Sequence, residues 1–157
     1  MSADQYLARV AEVGDRLRRV AIDRPGLTEA DPTTGDQWSA GQAWGHISEF
    51  VPFWIEELGD VIDDFQGQPV PFGREPGETA RKEAIDQGPD VAMDRHLHWL
   101  DNHVAQLEEF IRSIPEDGWK AEGLHRKMGV LSVPEMLDQF LVGHLEEHAA
   151  QLEKLSQ

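Results

Sequence analysis

The sequence predicts an all-α protein: a four-helix bundle with one long crossover between the second and third helices. Three observations support this prediction. Apolar residues recur in steps of three and four along four stretches of the chain, which is the period of a helix face. Two of these stretches begin with Ser followed three residues later by Gln or Glu, the pattern of a capping box. The period-two alternation typical of strands is nearly absent, so no sheet is expected.

The first helix is predicted to run from about Ala3 to Arg24. The Pro25-Gly26 pair is expected to stop it, because proline cannot continue a helix. One face of this helix carries the apolar residues Tyr6, Val10, Val13, Leu17 and Val20.

The second helix is predicted to begin at Ser39, which forms a capping box with Gln42. Pro52 lies inside the helical pattern and is expected to kink the helix. The main apolar face contains Trp44, Ile47, Val51, Trp54, Leu58, Val61 and Phe65, and a parallel row contains Ala43, His46, Phe50 and Phe53.

The third helix is predicted to open near Pro89 and to end at Pro115. Its stripe consists of Met93, Leu97, Leu100, Val104, Leu107, Ile111 and Ile114. Residues 66–88, before it, are rich in Pro and Gly and unusually long for a loop in a compact domain. This segment is expected to be the crossover or a lid over a site, with a short extra helical turn around Glu78 to Ile85.

The fourth helix is predicted to open at Ser132, where Glu135 completes another capping box. Residues 25–38 and 115–131 are expected to be loops, and residues 1–157 to form a single domain. The inner face of the fourth helix is expected to hold Leu137, Leu141, His144, His148 and Leu155.

Charge and composition exclude several functions. The net charge is -16, with 30 acidic and 14 basic residues, so no nucleic-acid or anionic-lipid partner is expected. No window approaches ~18 consecutive apolar residues, and the N-terminus lacks a signal-peptide pattern, which together predict a cytoplasmic protein without a membrane partner. The chain has no cysteine. A metal site would therefore use His, Asp and Glu, and any thiol would come from outside.

His144 and His148 are four residues apart and therefore share a helix face. With Glu147 they match the His-x-x-Glu-His signature of one class of zinc proteases. We do not expect a protease, because few residues follow His148 and no sheet is predicted. Two interpretations stay open for the pair: core histidines bonded to other side chains, or ligands of a shared divalent cation. His46 points inward from the second helix, and three histidines would leave coordination positions open for water or substrate.

Several other polar residues are weaker candidates, each equally explained as an ordinary surface or helix-face residue. His98 is expected to face solvent. Residues that could support a site from outside it are His96, His103 and His125. Residues that could orient ligands are Glu49, Glu147 and Gln151, and those that could meet an anionic cosubstrate are Arg74 and Arg81.

Two segments carry a set of motifs in a characteristic order. Gly35 to Leu58, GDQWSAGQAWGHISEFVPFWIEEL, has a Trp-Ser start, an inward His and then aromatic residues. Gly129 to Leu155, GVLSVPEMLDQFLVGHLEEHAAQLEKL, has a His-x-x-x-His pair followed by Gln. In this order and at this spacing, the two segments resemble the DinB-like superfamily. The resemblance implies an up-down-down-up four-helix bundle. It also implies one divalent metal ion, usually zinc or nickel, on His46, His144 and His148.

The resemblance implies several alternative functions. Relatives include transferases and isomerases that use the low-molecular-weight thiols mycothiol, bacillithiol or glutathione, and proposed metal-dependent hydrolases. His144 stands where the maleylpyruvate isomerases tend to have a glutamate, which puts isomerase activity in doubt. We therefore expect a metal-dependent thiol S-transferase acting on a small-molecule substrate. The alternatives are a hydrolase, a non-catalytic metal-binding stress-response bundle, and a bundle with purely structural histidines that forms a homodimer through exposed aromatics such as Trp119.

Overall fold

The structure, a computed structural model, describes residues 1–75 and 78–155. In this part of the chain the helices are α1 (Ala3–Arg19), α2 (Ala40–Asp64), α3 (Thr79–Gln87), α4 (Met93–Ser113) and α5. α5 joins the α-helical stretches Val133–Met136 and Val142–Leu155 through a π-helical turn, Leu137–Leu141. Two 3-10 turns cover Gly88–Asp90 and Glu116–Lys120. The strands are β1 (Val70–Phe72), β2 (Glu122–His125) and β3 (Gly129–Ser132).

The four long helices α1, α2, α4 and α5 form the predicted bundle in up-down-down-up order. α1 and α5 run parallel, because Arg9 pairs with Glu146 and Arg16 pairs with Glu153 farther along both helices. α2 and α4 are parallel to each other and antiparallel to the first pair. The largest fully buried side chains between the helices include Tyr6, Leu17, Trp44, Phe50, Leu58, Leu107, Ile111 and Leu141.

The predicted capping boxes are confirmed. Ser39 Oγ accepts a hydrogen bond from the Gln42 amide at 3.2 Å, and Gln42 Oε1 accepts one from the Ser39 amide at 2.9 Å. Ser132 and Glu135 make the same reciprocal pair at the start of α5. α2 continues through Pro52. The predicted extra helical turn after Glu78 is also present, as α3.

Two predicted helix ends were wrong. α1 ends at Arg19 rather than Arg24, because its apolar face ends at Val20 and the next large apolar residue, Ile22, is 55% exposed. Without further burial, another helical turn would gain little stability. α4 begins at Met93 rather than near Pro89, because Pro89 lies in the preceding 3-10 turn.

The expectation of no sheet was wrong as well. β2 pairs in parallel with β1 and antiparallel with β3, so residues 115–131 are not all loop and the crossover carries a strand. Strands of three or four residues are too short to show alternation in a sequence. Gly129, with φ 77°, closes the turn between β2 and β3. Of the crossover 66–88, residues 76 and 77 lie outside the described part.

The inner face of α5 also differs from the prediction. Leu137 and Leu141 are buried as expected, but Leu155 is only partly buried. After the π turn the buried apolar residues are Val142, Leu145, Ala149 and Leu152. A π turn holds one residue more than an α turn, so the apolar face continues one position later than a uniform helix predicts.

Two further expectations concern the surface. Trp119 is half-buried and stacks on Tyr6 with 6.1 Å between ring centroids, so it is not the exposed aromatic residue that was expected. The homodimer stays a prediction. Among the described residues, no helix has the length and apolar character needed to span a membrane.

Candidate metal centre

The structure brings the three predicted histidines together. His46 comes from α2, two turns after the Ser39 cap, and His144 and His148 come from successive turns of α5. The Nε2 atom of His144 lies 3.1 Å from Nε2 of His46 and 3.3 Å from Nε2 of His148. Three nitrogens bound about 2.0–2.1 Å from a tetrahedral zinc ion would lie about 3.3 Å apart. The spacing of the rings therefore fits a metal ion.

The outward-facing nitrogens of the α5 pair have partners that fix the proton. Nδ1–H of His148 donates to Gln151 Oε1 at 2.8 Å, and Nδ1 of His144 lies 3.4 Å from Glu147 Oε2. A neutral imidazole with its proton on Nδ1 has a lone pair on Nε2. Two such lone pairs face each other across 3.3 Å, an arrangement that a cation between them would stabilise.

Burial keeps His46 and His148 neutral. His46 is 3% exposed and His148 is 4% exposed. Burial lowers the pKa of His46 far below its usual range, and lowers the pKa of His148 to about 3, with the neighbouring histidines acting in the same direction. At neutral pH both rings therefore present lone pairs, the form that binds metal ions.

Two aromatic rings wall the cluster. The Trp38 ring stacks on His148 with 6.0 Å between centroids and meets His46 edge-on at 5.1 Å. The Phe50 ring lies 4.9 Å from His46 and 4.5 Å from His144. Nδ1 of His46 is buried without a hydrogen-bond partner among the described residues. Ring packing, rather than a polar partner, therefore orients His46.

A cavity of about 120 Å³ opens onto the histidines. It has room for about four water molecules, so it admits the reactive end of a small molecule. Its rim carries the carboxylates of Glu29, Asp31, Asp36 and Glu147 and the guanidinium of Arg81. A larger cavity of about 930 Å³ lies elsewhere, between β1, β2 and Phe53. Size alone would favour the larger cavity as the functional site, whereas the convergent histidine nitrogens favour the small one.

The two candidate loop arginines have different surroundings. Arg74 is ion-paired with Glu49, with one Nη2–Oε2 distance of 2.9 Å, and lies 4.1 Å above the Phe53 ring. Glu49 therefore holds Arg74 rather than orienting the cluster. Arg81 lies 5.7 Å above the Trp38 ring and has no ion-pair partner in the described part of the chain. Of the two, Arg81 is the one that lines the histidine cavity.

The remaining histidines lie at other places. His96 is buried, and its Nε2 lies 2.9 Å from Gly88 O. His96 and His103 line a separate cavity of about 320 Å³ between α2, α3 and α4. His125, on β2, packs against Phe72 and Phe140, and His98 is exposed as expected.

Sequence reasoning missed two features of the site. Trp38 directly precedes the Ser39 cap and is outside α2, so the apolar periodicity of that helix does not include it. Its position next to the cap is the one signal in the sequence that could have indicated a role. The π turn Leu137–Leu141 ends three residues before His144. Its one signal in the sequence is the one-residue shift of the apolar pattern.

The DinB superfamily matches residues 4–152, most of the chain. This chain belongs to the DinB superfamily. No curated protein matches it by sequence. Membership agrees with the two segments that resembled the family and with the order of the helices.

Three solved structures share the fold. YfiT from Bacillus subtilis, described as a probable metal-dependent hydrolase with an unusual four-helix bundle topology, is 14% identical with a TM-score of 0.72, covering 98% of this chain and 85% of YfiT. The mycothiol-dependent maleylpyruvate isomerase is 20% identical with a TM-score of 0.67, covering 97% of this chain. This chain spans 61% of that isomerase. A Streptococcus pneumoniae protein is 10% identical with a TM-score of 0.68, covering 99% of this chain and 91% of that one.

Proposed function

We propose that this DinB superfamily protein holds one divalent metal ion, zinc or nickel, on His46, His144 and His148. We propose further that it is a cytoplasmic enzyme that activates a low-molecular-weight thiol at that ion for transfer to a small electrophile. The observation that carries the proposal is the convergence of three histidine Nε2 atoms at the floor of an open cavity.

A set of three protein ligands is typical of catalytic rather than structural zinc sites, which use four. A bound divalent cation would act as a Lewis acid and lower the pKa of a thiol or water that coordinates it. The chain supplies no cysteine. The sulfur nucleophile of a transferase would therefore arrive with a cosubstrate.

The surrounding residues fit this role. Gln151 fixes the tautomer of His148, and Glu147 lies beside Nδ1 of His144. Trp38 and Phe50 cover the sides of the cluster and limit access by bulk water. Arg81 is the one basic residue that lines the cavity, so it would contact an anionic part of the cosubstrate while the acidic rim faces its neutral or cationic parts.

A hydrolase is the second candidate. YfiT, which shares the fold, is described as a probable metal-dependent hydrolase. The Glu147 carboxylate, at the cavity rim, could accept a proton from an attacking water molecule. The hydrogen bond with His144 lowers the pKa of Glu147 and outweighs the opposing effect of burial, so this carboxylate is ionised at neutral pH.

The test of the transferase is a conjugation assay. Metal-loaded protein is mixed in turn with mycothiol, bacillithiol and glutathione, and with 1-chloro-2,4-dinitrobenzene as the electrophile. Attack of the thiol sulfur displaces chloride and releases a proton to solvent, and the thioether product is followed by absorbance. We expect turnover with at least one thiol, and its loss in the metal-free protein and in His148→Ala.

His98→Ala is the matched control, because it removes an exposed histidine from α4 and should leave the rate unchanged. A metal-loaded protein that accelerates none of the three conjugations would contradict the transferase. Metal-dependent hydrolysis of a p-nitrophenyl ester panel without any thiol would then favour the hydrolase.

A further inference from the structure

The helix that carries His144 and His148 has two apolar segments that are out of phase. Up to and within the π turn the buried residues are Val133, Met136, Leu137, Phe140 and Leu141, and after it they are Val142, Leu145, Ala149 and Leu152. In a uniform α-helix, Leu137 would share its direction with positions 144, 148 and 155. The second apolar segment instead uses positions 145, 149 and 152, one residue later.

This one-residue delay turns the histidines. Each residue of an α-helix advances by about 100°, so the delay rotates His144 and His148 by about 100° away from the centre of the core. In the structure the two histidines face α2, where Nε2 of His46 lies 3.1 Å from Nε2 of His144. On the other flank, Glu146 and Glu153 reach Arg9 and Arg16 of α1. In a uniform helix the same histidines would point into the apolar core.

Gly143 is what allows the π turn to close. The amide of Val142 bonds to the carbonyl of Leu137, five residues back, as in a π-helix. The next carbonyl, of Asp138, lies beneath Gly143, and a Cβ at position 143 would overlap its oxygen. In a regular α-helix the amide bonds four residues back, and the carbonyl five residues back lies clear of the side chain.

We propose that the π turn Leu137–Leu141 accommodates one extra residue in α5, so that His144 and His148 still face His46 and the metal site can form, and that this turn needs glycine at position 143. Gly143 is thus a positioning residue. The inference rests on the proposed metal site, and π turns inside α-helices are frequent at functional sites.

The test uses three variants and a zinc-affinity measurement by competition with a chromophoric chelator. Gly143→Ala opposes the π turn, and we expect zinc affinity to fall roughly 10- to 100-fold, the range found when residues that orient metal ligands are lost. Deletion of Gln139, an exposed residue of the turn, removes the extra residue. A regular helix then keeps both apolar segments in phase, so zinc affinity should stay within about threefold of wild type.

The combined variant is decisive. With Gln139 deleted, no carbonyl lies beneath position 143, so Gly143→Ala should no longer weaken zinc binding. Gly59→Ala is the control, because a Cβ there meets only a Phe110 ring atom at 3.8 Å. Cobalt-loaded samples give a second readout: the visible spectrum should be altered in Gly143→Ala and restored in the combined variant.

The outcomes separate this inference from the proposed function. Wild-type protein without zinc affinity would overturn the metal site and the inference with it. Wild-type affinity in Gly143→Ala, or equal losses in Gly143→Ala and the combined variant, would overturn the inference alone. If Gly143→Ala does not fold, a combined variant that folds and binds zinc supports the inference, and one that does not fold contradicts it.

Discussion

Buried and half-buried histidines lie on two sides of α2, and the two groups differ in where their nitrogens point. On one side, His46, His144 and His148 direct Nε2 atoms at one another. On the other side, His96 Nε2 contacts the Gly88 carbonyl, and His103 lines a separate cavity. Burial lowers the pKa of His46 and His148 on the first side, and of His96 and His103 on the second. Burial and a low pKa therefore describe any core histidine, and only convergent lone pairs distinguish a metal site.

Replacing one converging histidine should have the largest effect. His148→Ala removes a ligand together with the Gln151 contact, and we expect zinc affinity to fall by more than about 100-fold, beyond the loss typical of outer partners. Isothermal titration of the metal-free protein with zinc measures this. Retention of most of the affinity would mean that His148 lies beside the ion rather than on it.

Replacing the histidine on the opposite side should affect stability instead. His96 is 1% exposed. His96→Ala leaves a cavity and removes one of the two hydrogen bonds that the Gly88 carbonyl accepts, the other coming from the Val91 amide. We expect the free energy of unfolding to fall by about 2–4 kcal/mol, while zinc affinity stays at the wild-type value. Urea unfolding and zinc titration of the same sample provide the check. A parallel loss of zinc affinity would erase the distinction between the two groups.

The partners of the cluster should have smaller effects, in a defined order. Gln151→Leu keeps the bulk but removes the acceptor 2.8 Å from Nδ1 of His148, and zinc affinity should fall roughly 10-fold, at the lower end for outer partners. Glu147→Gln should cost less, because the corresponding distance is 3.4 Å and Glu147 is exposed. The reverse order would show that Glu147 orients the site.

The smallest expected effect is on the pH dependence of the free energy of unfolding, and it concerns His103 in the group on the other side of α2. Burial lowers the pKa of His103 below the usual histidine value of 6.5. As pH falls below this value, the unfolded chain takes up a proton that the folded chain does not, so the free energy of unfolding decreases. His103→Leu should flatten this slope between pH 6.5 and 5 by up to about 1.4 kcal/mol per pH unit. Urea unfolding of the metal-free protein across this range measures it, and parallel curves would contradict the assignment.

The sequence predicts the features that depend on regular helices. Ser39 and Ser132 mark their helix starts because a capping box needs only two residue types at a fixed spacing. The i, i+4 spacing of His144 and His148 fixes their shared face in any helix that contains both. His46 was predicted from its place in the inward row of α2, and the structure places it beside that pair.

The features that the sequence did not predict depend on departures from regularity or on distant contacts. β2 is stabilised by β1, about fifty residues away, and neither strand is long enough to alternate visibly. The π turn breaks the period on which the prediction of the α5 face rested. Trp38 reaches the site through a connection in which Thr28 and Trp38 are hydrogen-bonded, a pairing that no local pattern signals.

The central claim is that three imidazoles hold one ion, and anomalous diffraction tests it most directly. Crystals grown with zinc or nickel would be measured on both sides of the metal absorption edge. The account predicts one anomalous peak per chain, about 2.0–2.1 Å from Nε2 of each of His46, His144 and His148. Two results would contradict this claim. One is a peak at another group of side chains, and the other is the absence of a peak between the three histidines in crystals saturated with metal.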